Sequence, residues 1–510
     1  MGKVRPNILL ILPDQLTPFA LGAYGHPVVK SPNIDALSEA GVTFDGAYCN
    51  SPLCAPSRFS LMSGRLPSAI GAYDNASYFP SNLPTIAHYL RDGGYDTCLS
   101  GKMHFIGLDQ LHGFGERCTT DIYPGDFGWT VDWDHPEERI DWWYHNMSSV
   151  EQAGVAHVTN QFDFDDEVGF QAVRKLHDLA RDRGRRPFFL TVAFTHPHDP
   201  YVTRQKYWDL YKDDNIAPPR VAAIPFDDMD PHSQRIYRAI ALGKTDIKEQ
   251  HIRNARRAYY GNVSYVDEWV GKLIETLVAC QLDKNTIVIF AGDHGDMLGE
   301  RGLWYKMSFY EWSCRVPLIV YAPDAFPARR VAAPVSLVDV LPTLNELTGC
   351  ASRDTYLQTD GRDLTPYLQG QDDDGEATAE YMGEGSAAPL VMIRRGVWKY
   401  IHCDLDPPQL FNLKDDPDEC NNLAGDPNVR AIENGFGDEI TKRWNLAELK
   451  EQVIADQHRR RFIYGSLRKG VYQSWDFQPH TDASRQYMRN HLDLNNVESA
   501  KRFPLSVADE

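Results

Sequence analysis

The sequence predicts an α/β fold: a large, mostly parallel sheet flanked by helices, then a smaller antiparallel sheet and an extended tail. Three observations carry this expectation. Short, wholly apolar runs alternate with longer helical patterns between Asn7 and Leu347. Residues suited to chemistry follow several of these runs directly, where parallel sheets bind ligands. After an acidic, turn-rich stretch from Gly370 to Ala377, the pattern changes to short alternating strands.

Taken in order, Asn7 to Leu12 reads as a buried strand that delivers Asp14-Gln15 at its carboxyl end. Pro32 to Ala40 reads as a short helix, with Asn33 near its start and Gly41 as its stop. Leu83 to Arg91 is an amphipathic helix closed by Gly93-Gly94, and a strand follows through Thr97-Cys98-Leu99. Phe188 to Phe194 is a second buried strand, running into Thr195-His196-Pro197-His198. A long helix is expected from about Arg253 to Cys280, and a strand from Thr286 to Ala291 ends in Asp293-His294. Pro317 to Tyr321 is a further strand, and Val338 to Leu347 a helix stopped by Gly349. Three units are therefore expected: residues 1–375 as the α/β domain, 376–445 as the antiparallel unit, and 446–510 as a helix and tail. That tail mixes polar and aromatic residues without a core pattern of its own. It is expected to dock on another surface, including that of a neighbouring subunit in a dimer or tetramer.

Bulk properties exclude several classes. Across 510 residues, 52 Lys and Arg stand against 71 Asp and Glu, a net charge of -19. A field of that sign repels polyanions, which argues against nucleic-acid and anionic-membrane partners. The run Ile8 to Leu12 is too short for a signal segment or a membrane span. Nine cysteines in no tight spacing describe no disulfide framework. A soluble protein of the reducing cytoplasm is expected.

The most specific segment is Cys54-Ala55-Pro56-Ser57-Arg58, continued by Gly64-Arg65. Read by itself, it places a cysteine at a loop-to-helix junction, where a helix N-terminus favours an anion or a thiolate. The segment resembles the modification motif of the type I sulfatase family, Cys-x-Pro-Ser-Arg with a downstream Gly-Arg. Met62 and Ser63 depart from the leucine and threonine common before that Gly-Arg. The resemblance implies an alkaline-phosphatase-like fold. It also implies that a sulfatase-maturing, formylglycine-generating enzyme oxidises Cys54 to formylglycine. The hydrated aldehyde carries two hydroxyls: one attacks sulfur, and the other later loses a proton to expel sulfate.

The same resemblance implies a single divalent metal, Ca2+ or Mn2+, held by Asp14, Gln15, Asp293, His294 and residue 54. Most relatives carry Asp-Asp where this chain has Asp14-Gln15. Oxygen-rich coordination suits calcium, and the imidazole shifts preference toward manganese. Arg58, Lys102, His104, His198 and Lys306 match the family's catalytic positions. Lys102 and Lys306 would grip sulfate oxygens, and Arg58 would hold the formylglycine diol. His104 is the candidate base for the sulfated intermediate, and His198 the candidate acid for the leaving alcohol.

Further segments resemble the choline-sulfatase subfamily. They are Asp126-Phe127-Gly128-Trp129, Ile140 to Asn146, Asp230 to Ile236, Tyr381 to Gly385 and Tyr487 to His491. Choline sulfate is the substrate this implies. A quaternary ammonium donates no hydrogen bonds, so aromatic faces and carboxylates must recognise it. Trp129, Trp133, Trp142, Trp143 and Tyr144 offer faces, and Glu384 and Asp493 offer counter-charge. Trp129, His145 and Asn146 are the pocket residues that the resemblance favours. Three other functions compete: an arylsulfatase or phosphonate monoester hydrolase of the same superfamily, a non-catalytic binding protein, and a two-metal phosphatase. The last would need further ligands such as Asp296 and Asp339.

Overall fold

The structure is a computed structural model that describes residues 5–182, 186–350, 358–473, 475–479 and 496. Its centre is an eight-stranded sheet. In chain order the strands are β1 (Asn7–Ile11), β2 (Val42–Tyr48), β3 (Asp96–Gly101) and β4 (Glu116–Arg117), then β5 (Phe188–Ala193), β6 (Thr286–Ala291), β7 (Arg315–Tyr321) and β8 (Arg329–Ser336). Across the sheet the order is β8-β2-β7-β6-β1-β5-β3-β4. Every pairing is parallel except the two made by β7.

Burial explains why some strands are plain in the sequence and others are not. β1, β5 and β6 lie side by side at the middle and are buried along their whole length. They therefore read as continuous apolar runs. β2 is not legible in the sequence pattern, because Asp45-Gly46 interrupts it with a turn signal. Here that dipeptide sits where the pairing to β7 shifts register between Phe44 and Ala47. β8 was hidden by Pro334, which lacks an N–H for a ladder; β8 is an edge strand, where proline is tolerated.

Helices cover the sheet: α1 (Pro32–Ala40), α2 (Cys54–Ser63), α3 (Ile86–Asp92), α4 (Asn160–Arg181), α5 (Glu249–Ala279) and α6 (Val340–Thr348). α1 has the expected bounds. α5 begins one turn earlier than expected, and α4 was not anticipated. No described helix is long and apolar enough to cross a membrane.

The second sheet is an antiparallel meander of β9 (Glu376–Tyr381), β10 (Leu390–Arg395), β11 (Trp398–Cys403) and β12 (Asp406–Asn412). Lys399 of β11 is fully buried, and its Nζ meets Glu311 at 3.0 Å and Glu419 at 2.7 Å. α7 (Arg430–Arg443) lays Phe436 against Tyr400 of the meander, with ring centroids 5.6 Å apart. α8 (Leu446–Leu467) starts at Asn445, whose side chain accepts from the Glu448 N–H. Leu449, Val453, Gln457 and Arg460 recur on its one buried face. Beyond α8, Trp475 meets Phe127 edge-on at 5.2 Å, and the Gly125 N–H donates to Asp476 at 3.4 Å. The start of the tail thus docks on the chain's own loops, near Trp129.

Candidate active site

Five strands point their carboxyl ends at one place. β1 is followed by Asp14 and Gln15, β2 by the loop to Cys54, and β3 by Lys102 and His104. β5 leads to His198, and β6 to Asp293 and His294. Gly101 is obligatory at the end of β3. Its φ is +108°, and a Cβ there would collide with the Ala193 carbonyl oxygen. Lys102 N–H donates to that same oxygen, which fixes the direction of the Lys102-His104 segment.

Cys54 is the first residue of α2, and the Ala55 N–H is capped by Asn75 Oδ1 at 3.0 Å. Arg58 lies one turn on, on the same helix face and fully buried. Its Nε donates to Asp293 Oδ2 at 2.8 Å, Nη2 to Asp14 Oδ2 at 2.9 Å, and Nη1 to the Lys102 carbonyl at 2.6 Å. Arg58 therefore ties together the ends of β1, β3 and β6. Lys102 Nζ also pairs with Asp14 Oδ2. Burial pushes the Asp14 carboxyl up, but Lys102 and Arg58 outweigh it and hold it well below the usual carboxylate range.

The thiol departs from the expectation of a helix-favoured thiolate. Burial, then the charge of Asp14, push Cys54 up to about 11, so an unmodified Cys54 stays protonated. Its Sγ lies 3.1 Å from His294 Nε2 and 3.7 Å from Asp14 Oδ1.

Asp14, Cys54, Asp293 and His294 each offer one ligand atom, all within 4.8 Å of one another. Two features fit these residues to a divalent ion. Oδ1 of Asp14, the oxygen not engaged by Arg58 and Lys102, faces Cys54 and His294. His294 Nδ1 is bonded to the Gly295 carbonyl at 3.0 Å, which places the proton there and leaves Nε2 as a lone pair facing the cluster. Gln15 turns its amide oxygen toward Lys306 Nζ, 2.6 Å away. Gln15 and His104 are both held at positive φ, as are Tyr305 and Met307, the residues that flank Lys306. Strain of this kind concentrates at functional sites.

His104 is fully enclosed, and burial together with Lys102 lowers it to about 3, so its ring is neutral. His198 is also held well below its ordinary value, by burial and by Lys306. Its Nδ1 is bonded to the Asp199 carbonyl at 2.7 Å, and its Nε2 lies 2.8 Å from Lys306 Nζ.

A pocket of about 340 Å³ opens over Cys54, His198 and Lys306. Trp129, Trp143, Tyr144, His145, Asn146 and Glu384 line it, so these expected residues do converge. Trp129 and Trp143 are parallel, 9° apart, with centroids separated by 6.0 Å. Both carboxylate oxygens of Glu384 are buried without a hydrogen-bond partner, and burial pushes this group up to about 7. His145 Nδ1 stands 3.7 Å from it.

Trp133 and Trp142 do not join the pocket: Trp133 packs in a core around β10 to α8, and Trp142 is 62% exposed. Asp493 lies outside the described residues. Asp339 accepts from the Ser336 and Arg362 N–H groups, away from the cluster. The sequence reading missed Tyr123, which lies under Lys102 Nζ at 4.2 Å and touches the rings of His104, Trp129 and His198. Nothing in the local pattern Asp121-Ile122-Tyr123-Pro124 marks it out.

Comparisons with known proteins bear on the family and the fold. Residues 6–350 match the Sulfatase family model, and residues 451–503 match the model for the choline sulfatase enzyme C terminal. The choline-sulfatase of Rhizobium meliloti (strain 1021) is 49% identical over 510 residues, covering 99% of each chain. The arylsulfatase of Clostridium perfringens is 26% identical over 442 residues, covering 80% of this chain and 90% of its own. Among solved structures, the phosphonate monoester hydrolase of Agrobacterium radiobacter superposes with a TM-score of 0.68 at 24% identity. It covers 88% of this chain and 96% of its own, a likeness of fold alone. A Cys-x-Pro-Ser-Arg segment at the mouth of a buried carboxylate and imidazole cluster, with a family match across most of the length, leads to one conclusion: the chain belongs to the sulfatase family of sulfuric ester hydrolases.

Proposed function

We propose that the protein hydrolyses choline sulfate to choline and sulfate. The observation that carries this reading is Glu384. A carboxylate buried in an aromatic pocket without a hydrogen-bond partner, with the neutral His145 ring 3.7 Å away, calls for a cation, because leaving such a charge uncompensated is costly. Choline supplies a cation that cannot donate a hydrogen bond, and Trp129, Trp143 and Tyr123 supply ring faces for it. The pocket reaches Cys54 and Lys306, so one small zwitterion can place its sulfate on the cluster and its ammonium near Glu384. The choline-sulfatase relative of matching length supports the same substrate.

In this reading Asp14, Gln15, Asp293, His294 and residue 54 hold the metal, which as a Lewis acid would stabilise the nucleophile and polarise the sulfuryl group. The donor set is compatible with Ca2+ and with Mn2+. Cys54, converted to formylglycine by a maturing enzyme, supplies the nucleophile as one hydroxyl of its hydrate. Arg58 holds Asp14 and Asp293 in place and helps keep Asp14 ionised. Lys102 and Lys306 stabilise negative charge on sulfate oxygens. His104, neutral and enclosed, takes a proton from the residue-54 hydroxyl when sulfate leaves. The leaving alcohol draws its proton from the Lys306–His198 pair. His198 keeps the role of acid only through Lys306, because its own ring is neutral with Nε2 facing that ammonium.

In this scheme the α/β unit expected over residues 1–375 carries the chemistry, the unit expected over 376–445 contributes Glu384, and, among the described residues of 446–510, α8 and Trp475 buttress the pocket segment. The test compares kcat/KM for choline sulfate and 3,3-dimethylbutyl sulfate, its neutral isostere. A preference of about 10-fold or more for the cation is expected from cation–π and carboxylate contacts. Equal rates, or preference for the neutral ester, would overturn the substrate assignment.

A further inference from the structure

Gln15 places an amide beside a cluster of carboxylates, a thiol and an imidazole, and an amide creates a problem that a carboxylate does not have. A carboxylate presents the same atom whichever way it turns. A primary amide has a donor end and an acceptor end, and only the oxygen can serve a metal. Something must decide which end faces the cluster.

The groups around Gln15 make that choice without ambiguity. Its Nε2 donates to Asp296 Oδ2 at 2.6 Å and approaches Asp199 Oδ1 at 3.4 Å. Its Oε1 accepts from Lys306 Nζ at 2.6 Å. Two carboxylates on one side and an ammonium on the other leave one favourable orientation. The backbone is pinned as well: the Gln15 N–H donates to Asp293 Oδ1 at 2.9 Å, and the Tyr259 hydroxyl donates to the Gln15 carbonyl at 2.6 Å. Asp296 is fully buried, and each of its contacts comes from a donor. Besides Gln15, Tyr201 Oη donates to Oδ2 at 2.8 Å and the Leu298 N–H to Oδ1 at 2.9 Å.

We infer that Asp296 is a positioning residue that fixes the Gln15 amide with its oxygen toward the metal cluster, compensating for the amide at this position. The inference rests on the reading of Gln15 as a ligand. Asp296 touches neither substrate nor reacting atoms and acts through Gln15.

Carboxylate chemistry makes the inference testable by exchange. In D296N the single amide oxygen is drawn to the backbone N–H of Leu298, which cannot reverse. An N–H2 then confronts Gln15 Nε2, and Gln15 must either lose that contact or turn its nitrogen toward the cluster. In Q15E the orientation problem disappears, but the introduced carboxylate faces Asp296 across a buried contact as a like charge. In Q15E/D296N the introduced asparagine donates its amide N–H to one oxygen of the introduced glutamate, and the other oxygen is free for the metal.

The measurement is calorimetric titration of Ca2+, and separately of Mn2+, into metal-depleted protein, with thermal unfolding of each variant recorded alongside. Outer contacts of this kind typically govern 10- to 100-fold in metal affinity. D296N should bind the ion about 10-fold or more weakly than wild type at unchanged unfolding temperature. Q15E/D296N should recover to within about 5-fold of wild type and should exceed Q15E alone. If D296N does not fold, the comparison of Q15E with Q15E/D296N carries the test by itself. Q15A separates the two layers of the argument. Wild-type metal affinity in Q15A removes Gln15 from the ligand set, and the positioning role with it. Weakened binding in Q15A with wild-type binding in D296N leaves Gln15 a ligand and overturns the role of Asp296. A double variant no better than Q15E overturns it too.

Discussion

Arg460 of the C-terminal helix α8 is buried against Asp74, donating to both of its carboxylate oxygens at 2.7 and 3.0 Å. This pair joins the end of the chain to the pocket wall. Asp74 precedes Asn75, which caps α2 beside Cys54. Arg460 also reaches Thr130 Oγ1 at 3.1 Å, and Gln457, one turn earlier, accepts from the Trp133 N–H at 2.9 Å. The segment carrying Trp129 is thereby held on α8. Replacing Arg460 by Met leaves Asp74 buried and unpaired, which should destabilise the protein by about 3–5 kcal/mol. Urea unfolding measures this. Arg460→Lys keeps the charge but not the fork, and should raise KM for choline sulfate more than it lowers kcat. An unchanged KM in that variant would show that α8 supports the fold without shaping the pocket.

Cys54→Ala should abolish sulfate-ester hydrolysis and leave the fold intact, because the chemistry resides in one side chain. In active wild-type protein, the mass of the peptide bearing residue 54 should be that of the aldehyde or its hydrate. Because burial and Asp14 hold an unmodified thiol protonated up to about 11, protein still carrying cysteine there should be inert at neutral pH. Activity that follows the unmodified fraction would contradict this.

Trp129→Ala removes one of the two parallel ring faces and should lower kcat/KM for choline sulfate by roughly 10-fold or more. The neutral isostere should lose less. Equal losses for both substrates would mark Trp129 as a packing residue only.

The ratio of kcat/KM for choline sulfate over the neutral isostere should rise with pH and level off above about 7. The sign follows from Glu384. Burial raises its carboxyl to about 7, so below that pH it is protonated and offers a cation nothing. Above it the carboxylate is ionised and the ammonium is paired. Well below 7 the ratio should level off at the lower value that the aromatic faces alone provide. Taking the ratio cancels titrations that both substrates share. Glu384→Gln should flatten the profile, and a profile that survives that substitution would assign the titration elsewhere.

The sequence by itself determined the central strands, the position of the Cys54 to Arg58 motif and the family. β1, β5 and β6 were legible because strands buried on both faces read as apolar runs, and the Cys54 to Arg58 segment is specific in residue type and spacing. It also placed Asp14, His198, Asp293 and His294 just past apolar strands, where a parallel sheet binds its ligands. Only the tertiary structure decided the rest. β2 and β8 carry a glycine and a proline that local propensity forbids but a register shift and an edge position permit. Tyr123 and Asp296 carry no local signal at all, since their partners lie far off along the chain: Tyr123 meets Lys102, and Asp296 meets Gln15. Trp133 and Trp142 look as suitable as Trp129 in the sequence, yet one packs in a core and the other faces solvent. The physical reason is common to all of these. Local sequence sets what a residue can do, and burial against distant partners sets its charge state, its orientation and whether it faces the pocket.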